Sequence, residues 1–449
     1  MSYSKFVGSE GLTLYYNNKN NALYSADGEK LSGATTLAPE IYENAHLHHG
    51  VKHKSNRPKS IRILLGHACN YSCSYCMQKD IGDPSERPQN VFTGQFIKQV
   101  KDNLDISQIQ RIELWGGEPF LYWKDMMKIM TAFDKEGMEY YLSTNGSALQ
   151  PKHLEFFLSL KARVAFTISH DGPGHERLRG ADILEKKGPL LREWDTHWPK
   201  IQFSINPVLS DTNYDLFEMN DYFKSWADKY DVKHVSIGWV IGRVYDENNA
   251  ENSALHVIRG DNLKKFKEIQ TNFLDALIFE FKAGLFPGPE SKFLPNLLWD
   301  DYQGVYGYAQ TLRNEQPITL TSGCGADAAD IISLDLNGAV RTCPHTDDSF
   351  ISGHVTDIPG VEIQKIDTER KFRKDHCFNC PVYRICKSSC PINFDDAVFK
   401  MNCAIEKTYY STTQQKSFEL LFNQKITLVE WGLEGIPADV AIEDPVLPS

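Results

Sequence analysis

The sequence predicts an α/β chain of six βα units, arranged as a parallel open sheet or a partial barrel, followed by a small cysteine-rich C-terminal domain. Three observations predict it. From Ile61 onward, short apolar runs alternate with helical patterns. A Pro- and Gly-rich stretch, FPGPESKFLP at 286–295, ends the alternation. Seven of the ten cysteines then fall between Cys324 and Cys403.

Residues 1–60 read as an N-terminal extension forming a separate cap, with a hairpin from Leu12 to Ser25 around the turn-rich run from Asn17 to Asn21. Residues 61–290 hold the repeat. Its strand candidates are Ile61–Leu65, Arg111–Trp115, Met138–Ser143, Arg163–Ser169, Ile201–Asn206 and His234–Val240. Helical candidates between and after them include Trp123–Ala132, Pro151–Leu160, Tyr214–Tyr230 and Leu263–Phe281. In either architecture, ligands bind where the chain leaves the strands at their C-terminal ends. A linker is expected over 291–320, the cysteine domain over 321–410, and a C-terminal helix and tail over 411–449.

Composition narrows the function classes. The chain is 41% hydrophobic and 24% charged, within the range of soluble globular proteins, and its net charge of -11 argues against gripping nucleic acid or anionic lipid through bulk charge. The opening residues, MSYSKFVGSEGLTLYYNN, lack the basic and apolar regions of a signal peptide, and no apolar run approaches membrane-spanning length. A cytoplasmic location without a membrane partner is the expectation. Ten cysteines in a reducing compartment then point to metal ligation rather than disulfides.

Directly after the first strand comes HACNYSCSYCMQ, which sets Cys69, Cys73 and Cys76 in the spacing Cys-x3-Cys-x2-Cys. Three thiolates hold three irons of a four-iron cluster and leave the fourth open to a ligand. A zinc knuckle with its fourth ligand elsewhere has the same spacing. After the second strand stand Trp115, Gly116, Gly117, Glu118 and Pro119, where two glycines permit close backbone approach and a carboxylate follows at once. Alone, that stretch is a turn.

Together the two segments resemble the radical S-adenosylmethionine (SAM) superfamily. The resemblance implies a partial (β/α)6 TIM-like barrel in which the cysteine loop ligates a reducing cluster and the glycine motif binds the methionine amino group of S-adenosylmethionine. It places Tyr75 near the adenine, where a buried loop aromatic is the alternative. Ser143, Thr144, Asn145 and Gly146 end the third strand, and Ser169, His170, Asp171, Gly172 and Pro173 end the fourth, resembling a Ser-x-Asp-Gly-Pro stretch that lies at cofactor or substrate. Each could otherwise cap a helix. The implied cofactor-binding set is Tyr75, Gly116, Gly117, Glu118, Pro119, Ser143, Asn145, Ser169 and Asp171. Arg177 and Asn206 are weaker candidates on the same grounds.

The remaining cysteines read Cys324-x13-Gly338-x4-Cys343, Cys377-x2-Cys380-x5-Cys386-x3-Cys390 and Cys403. This spacing resembles the SPASM domain, which houses two auxiliary four-iron clusters; zinc ribbons have the same ligand type. The resemblance implies that Cys377, Cys380, Cys386 and Cys403 complete one cluster, while Cys324, Cys343 and Cys390 give three ligands to the other. All ten cysteines are then used, and one iron takes its fourth ligand from His345, Asp327, water or a substrate thiolate. His46, His48, His49 and His53 precede the repeat and read as a solvated loop with no metal assigned.

Three 4Fe–4S clusters imply an enzyme that reductively cleaves S-adenosylmethionine to a 5'-deoxyadenosyl radical, fed by a flavodoxin- or ferredoxin-type reductant. The resemblance favours a maturase that oxidises or cross-links a ribosomally made precursor peptide. The sulfatase-maturing branch carries Asp directly after the Gly-x4-Cys cysteine, whereas Pro344 follows Cys343 here, which weakens a formylglycine-forming reading. Sixty N-terminal residues are too few for a winged-helix leader-binding module, so leader recognition falls to a separate leader-binding protein or another surface. A small-molecule radical dehydrogenase is the enzymatic alternative. An iron-sulfur electron carrier is the non-enzymatic one, and the Gly-Gly-Glu-Pro segment argues against it.

Overall fold

The computed structural model describes residues 2–17, 21–33, 53–76, 78, 81, 93–243, 257–283, 298–315, 325–326, 328–345, 348–363, 377, 380–386 and 396–434. The chain opens with four antiparallel strands, β1 (Ser2–Gly8), β2 (Thr13–Asn17), β3 (Ala22–Ser25) and β4 (Lys30–Gly33). The hairpin expected over Leu12 to Ser25 is the β2–β3 pair, with Leu14 opposite Ser25 and Asn17 opposite Ala22.

The six expected strands of the repeat follow as β5 (Ser60–Leu64), β6 (Arg111–Trp115), β7 (Glu139–Thr144), β8 (Arg163–Ser169), β9 (Ile201–Asn206) and β11 (Val235–Ile237). They lie side by side in chain order, all parallel. The last candidate, His234–Val240, divides. The Gly238 N–H bonds the Ile205 carbonyl, and Val240 leaves the main sheet so that β12 (Val240–Ile241) pairs with β10 (Val208–Leu209).

Side chains alternate across these strands, as the period of two requires. One face carries Ile61, Ile63, Ile112, Leu114, Leu142, Val164, Phe166, Ile168, Phe203 and Ile205, all buried against helices. Helices Thr93–Asn103, Trp123–Phe133, Pro151–Ser159, Ile183–Asp195 and Leu216–Tyr230 supply the other half of that core, including Phe96, Met126, Phe157, Trp194 and Phe223. Asp182 and Asp215 cap the last two, each accepting two backbone N–H groups.

The cysteine-rich region joins this sheet instead of standing apart from it. Strand β13 (Ile331–Asp335) runs parallel to β5, and β14 (Ala339–Arg341) and β15 (Ile351–His354) continue antiparallel. The result is a nine-stranded mixed sheet in the order β11-β9-β8-β7-β6-β5-β13-β14-β15. The stretch expected as a linker contains helix Leu298–Arg313. Gly304 and Gly307 weaken its helical signal, and burial of Val305, Tyr308, Ala309 and Leu312 on one face overrides that weakness.

The N-terminal cap and the C-terminal tail, expected as separate pieces, share one sheet. After helix Asp396–Phe422, strand β16 (Ile426–Glu434) pairs antiparallel with β1. Phe418 meets Phe6 edge-to-face at 4.7 Å, and the Tyr308 hydroxyl donates to Asn21 Oδ1 at 2.9 Å. Among the described residues, no helix is long and apolar enough to cross a membrane.

Helix Pro151–Ser159 contains a pH-sensitive contact. Buried His153 accepts the Gln150 N–H at Nδ1 and lies 4.2 Å from the Trp123 ring. Burial, with Lys152 and Lys187 nearby, lowers its imidazole to about 4. A depressed folded value means that the unfolded chain takes the proton first as pH falls, so the associated stability is present above about 6.5 and lost toward about 4. Between pH 7 and pH 4, wild type is expected to lose on the order of 3 kcal/mol more than His153→Gln, which keeps an acceptor for the N–H but cannot titrate. Denaturant midpoints at the two pH values measure it, and equal losses would refute it.

Candidate functional site

The loop after β5 carries Cys69, Cys73 and Cys76, and its path is fixed by the turn after β6. A Cβ on Gly117 would sit 2.4 Å from the carbonyl oxygens of His67 and Ala68, and one on Gly116 would sit 2.9 Å from that of Gly66. Only glycine lets the two backbones approach this closely. Gly117 N donates to the Gly66 carbonyl at 3.0 Å and Glu118 N to that of Ala68 at 2.8 Å.

Glu118 is buried and braces this turn against β7. Its carboxylate accepts from Phe120 N at 3.1 Å, Thr144 Oγ1 at 2.7 Å and Asn145 N at 2.7 Å. Burial still raises its carboxyl above the ordinary value, because the three donors only partly offset desolvation. Glu118 has no exposed surface, and its three hydrogen bonds brace the turn. Thr144, at the end of β7, is one of the partners that fix it.

Asn145 reaches the cysteine loop, where its Nδ2 donates to Asn70 Oδ1 at 2.9 Å and lies 4.0 Å from Cys69 Sγ. Tyr75 and Asp171 meet directly, the tyrosine hydroxyl donating to Asp171 Oδ2. Asp171 is fully buried and also accepts Arg179 Nε at 2.9 Å and Val208 N at 3.0 Å. Arg179 was not visible in the motif reading. It stacks over the Tyr75 ring at 5.0 Å and places Nη1 4.0 Å from Cys73 Sγ. Cys73, Tyr75, Asp171 and Arg179 thus form one node. Arg177 lines a cavity of about 300 Å³ with Pro173, Gly174, Asn213 and Glu218.

Ser143, Ser169 and Asn206 are half-buried at the ends of β7, β8 and β9, on the sheet face opposite the apolar core. That face is largely polar, with Leu64, Trp115 and Ala165 among its apolar members, which is unusual for parallel strands. Arg62, Glu113 and Tyr141 are register partners across β5, β6 and β7, and Ser143, Thr167, Ser204 and Ser236 across β7, β8, β9 and β11. Glu113 Oε2 accepts from Arg62 Nε at 3.2 Å and Trp115 Nε1 at 3.1 Å. The Tyr141, Thr167 and Ser204 hydroxyls link at 2.5 Å and 2.8 Å.

In the C-terminal region the structure describes Cys343, Cys377, Cys380, Cys386 and Cys403; Cys324, Asp327 and Cys390 lie outside the described residues, as do His46, His48 and His49. Cys377, Cys380 and Cys403 pack with Tyr383 and Phe399, and Cys386 feels the charges of Cys380 and Cys403. Cys343 accepts the His345 N–H at 3.5 Å, and the His345 ring meets Trp115 edge-on at 4.8 Å.

Burial pushes the Cys73 and Cys403 thiols up to about 11. Buried thiols of this kind remain protonated unless a metal ion supplies the compensating charge. Among the described residues, no three His, Cys, Asp or Glu side chains are gathered so as to hold a metal ion. The fit to iron-sulfur clusters therefore rests on donor chemistry, thiols carried by the first loop and by the C-terminal region, together with the glycine cradle around the first loop.

Residues 63–191 match the Radical SAM superfamily, and the loop, the glycine turn and the Asp171 node lie within the matched stretch. The radical SAM cyclopropyl synthase TigE of Paramaledivibacter caminithermalis is 23% identical over 201 residues, 40% of this chain and 41% of the relative. An S-adenosylmethionine-dependent nucleotide dehydratase of Psychrobacter lutiphocae is 25% identical over 179 residues, 35% of this chain and 58% of the relative. The chain thus spans about half the length of the curated relatives it matches, and those relatives are enzymes. A solved structure of anSMEcpe with bound AdoMet shares the fold, at TM-score 0.55 and 17% identity over 82% of this chain and 97% of that one.

Proposed function

We propose that this protein is a radical SAM enzyme that oxidises or cross-links a peptide, with S-adenosylmethionine and a four-iron cluster at the end of β5 and two auxiliary four-iron clusters in the C-terminal cysteine region. The observation that carries the peptide reading is the polar sheet face. Toward the C-terminal ends of β5 to β11 its described residues carry no guanidinium, and nearer the strand starts Arg62 lies on Glu113, Arg111 on Glu113 and Glu139, and Arg163 on Glu139. A nucleoside triphosphate needs unpaired cations to offset its charge, whereas a neutral backbone is matched by hydroxyls and amides such as Ser143, Thr167, Ser169, Ser204 and Asn206. The same fold accommodates AdoMet and a peptide together in anSMEcpe.

Bound at the first loop, cluster and cofactor together supply hydrogen-abstracting radical chemistry. The chain's own residues hold the site. Gly116 and Gly117 set the loop path, Glu118 locks the turn to β7, and Asp171 fixes Tyr75 and Arg179 beside Cys73. Asn145 orients the loop from β7. The test is anaerobic incubation of the full chain with S-adenosylmethionine, dithionite and the short peptides encoded beside its gene. Formation of 5'-deoxyadenosine with loss of two hydrogens from one peptide, read by mass spectrometry, is expected. Turnover of a nucleotide with every peptide unchanged would overturn the reading.

A further inference from the structure

Helix Asp396–Phe422 presents two groups to Cys386. Cys403 and Glu406 lie three residues apart, hence on one side of the helix. Glu406 is completely buried. Its Oε1 accepts Arg243 Nε at 2.6 Å, and its Oε2 accepts the Cys386 thiol at 3.4 Å, a proton that cluster ligation would remove while Arg243 still holds the carboxylate. Arg243 comes from the other end of the chain's architecture, just beyond β12 in the six-strand repeat. Tyr410, one turn further along the helix, and Lys407 also act on this cysteine group. A site with four cysteines needs no carboxylate ligand, yet a buried carboxylate is held against one of its sulfurs by a partner brought from another element.

We propose that Glu406 is a positioning residue whose charge, fixed on Arg243 and directed at Cys386 Sγ, lowers the reduction potential of the four-iron group held by Cys377, Cys380, Cys386 and Cys403, with Arg243 opposing it. This rests on the cluster reading above. Adding an electron makes such a cluster more negative, so a neighbouring anion disfavours reduction and a neighbouring cation favours it. Burial keeps solvent ions from screening either charge. Because Arg243 belongs to the repeat, any movement between it and the helix would change the potential.

The test uses the full chain carrying Cys69→Ala, Cys73→Ala and Cys76→Ala, so that only the auxiliary signals remain. Potentiometric titration with mediators delivers one electron per cluster and is followed by electron paramagnetic resonance. Glu406→Gln is expected to shift one midpoint to more positive potential and Arg243→Gln to shift the same midpoint to more negative potential, with iron content unchanged. Shifts of the same sign, or none, at unchanged iron content would overturn the proposal. Loss of iron in Glu406→Gln but not in Glu406→Asp would also overturn it, making Glu406 a structural or ligating group. The cluster reading fails separately: Cys386→Ala would then leave the iron content at the parent's level.

Discussion

Replacing Cys69, Cys73 and Cys76 together by Ala is expected to reduce 5'-deoxyadenosine formation to background while the C-terminal iron remains. The three cysteines lie in one loop after β5, and Cys377, Cys380, Cys386 and Cys403 pack elsewhere around Tyr383, Phe399 and helix Asp396–Phe422. No described hydrogen bond of the C-terminal group runs through the first three thiols; their partners are Tyr71, Asn145 and Arg179. Anaerobically prepared wild type should hold three four-iron clusters, and the variant two, because ten thiolates divide into sets of three, three and four. Iron and sulfide analysis with a chromatographic assay for 5'-deoxyadenosine gives both numbers. Unchanged cleavage in the triple variant would refute the assignment, and stoichiometric zinc with little iron would refute the cluster chemistry.

The parts of the fold that were legible were those with a strong local period. All six strands of the repeat appear within a residue or two of the expected positions, except where Val240 turns aside to pair with Val208. Their signal is an apolar run bounded by helical patterns, and the buried face they form is continuous. What was not legible depended on distant partners. The sequence of β16 gives no hint that it pairs with β1, more than four hundred residues away, and β13 joins β5 across most of the chain. Helix Leu298–Arg313 was hidden by its own glycines.

The candidate site divides the same way. Motif spacing located the cysteine loop, the glycine turn and the strand ends, but not the three hydrogen bonds by which Glu118 ties the turn to β7. Motif spacing also passed over Arg179, which belongs to no fixed pattern and is recognised only by what it touches. The polar face was open to a period-two reading of Arg62, Glu113, Tyr141, Thr167 and Ser204, because alternation marks a face even when no motif does. Attention to the strand ends alone leaves that row unseen.

Arg179 also supports the second large prediction. Asp171 is its carboxylate partner, and the side chains are 11% and 0% exposed. Asp171→Ala would leave a guanidinium in the interior without its counter-ion, which costs on the order of 3–5 kcal/mol. The same change removes the acceptor for the Tyr75 hydroxyl and the Val208 N–H, so the cysteine loop and β10 lose a common anchor. Stability and occupancy of the first cluster are therefore expected to fall together. The double variant Asp171→Ala, Arg179→Met removes the stranded charge and should recover part of the lost stability, because a buried pair replaced as a pair costs far less than one broken in half. It should not recover the first cluster, since the Tyr75 hydroxyl still lacks Asp171 as its acceptor. Thermal unfolding of the three proteins together with iron analysis separates the two effects. A double variant less stable than Asp171→Ala would show that Arg179 stabilises the loop through Cys73 and Tyr75 independently of Asp171, and the node would then be two contacts instead of one.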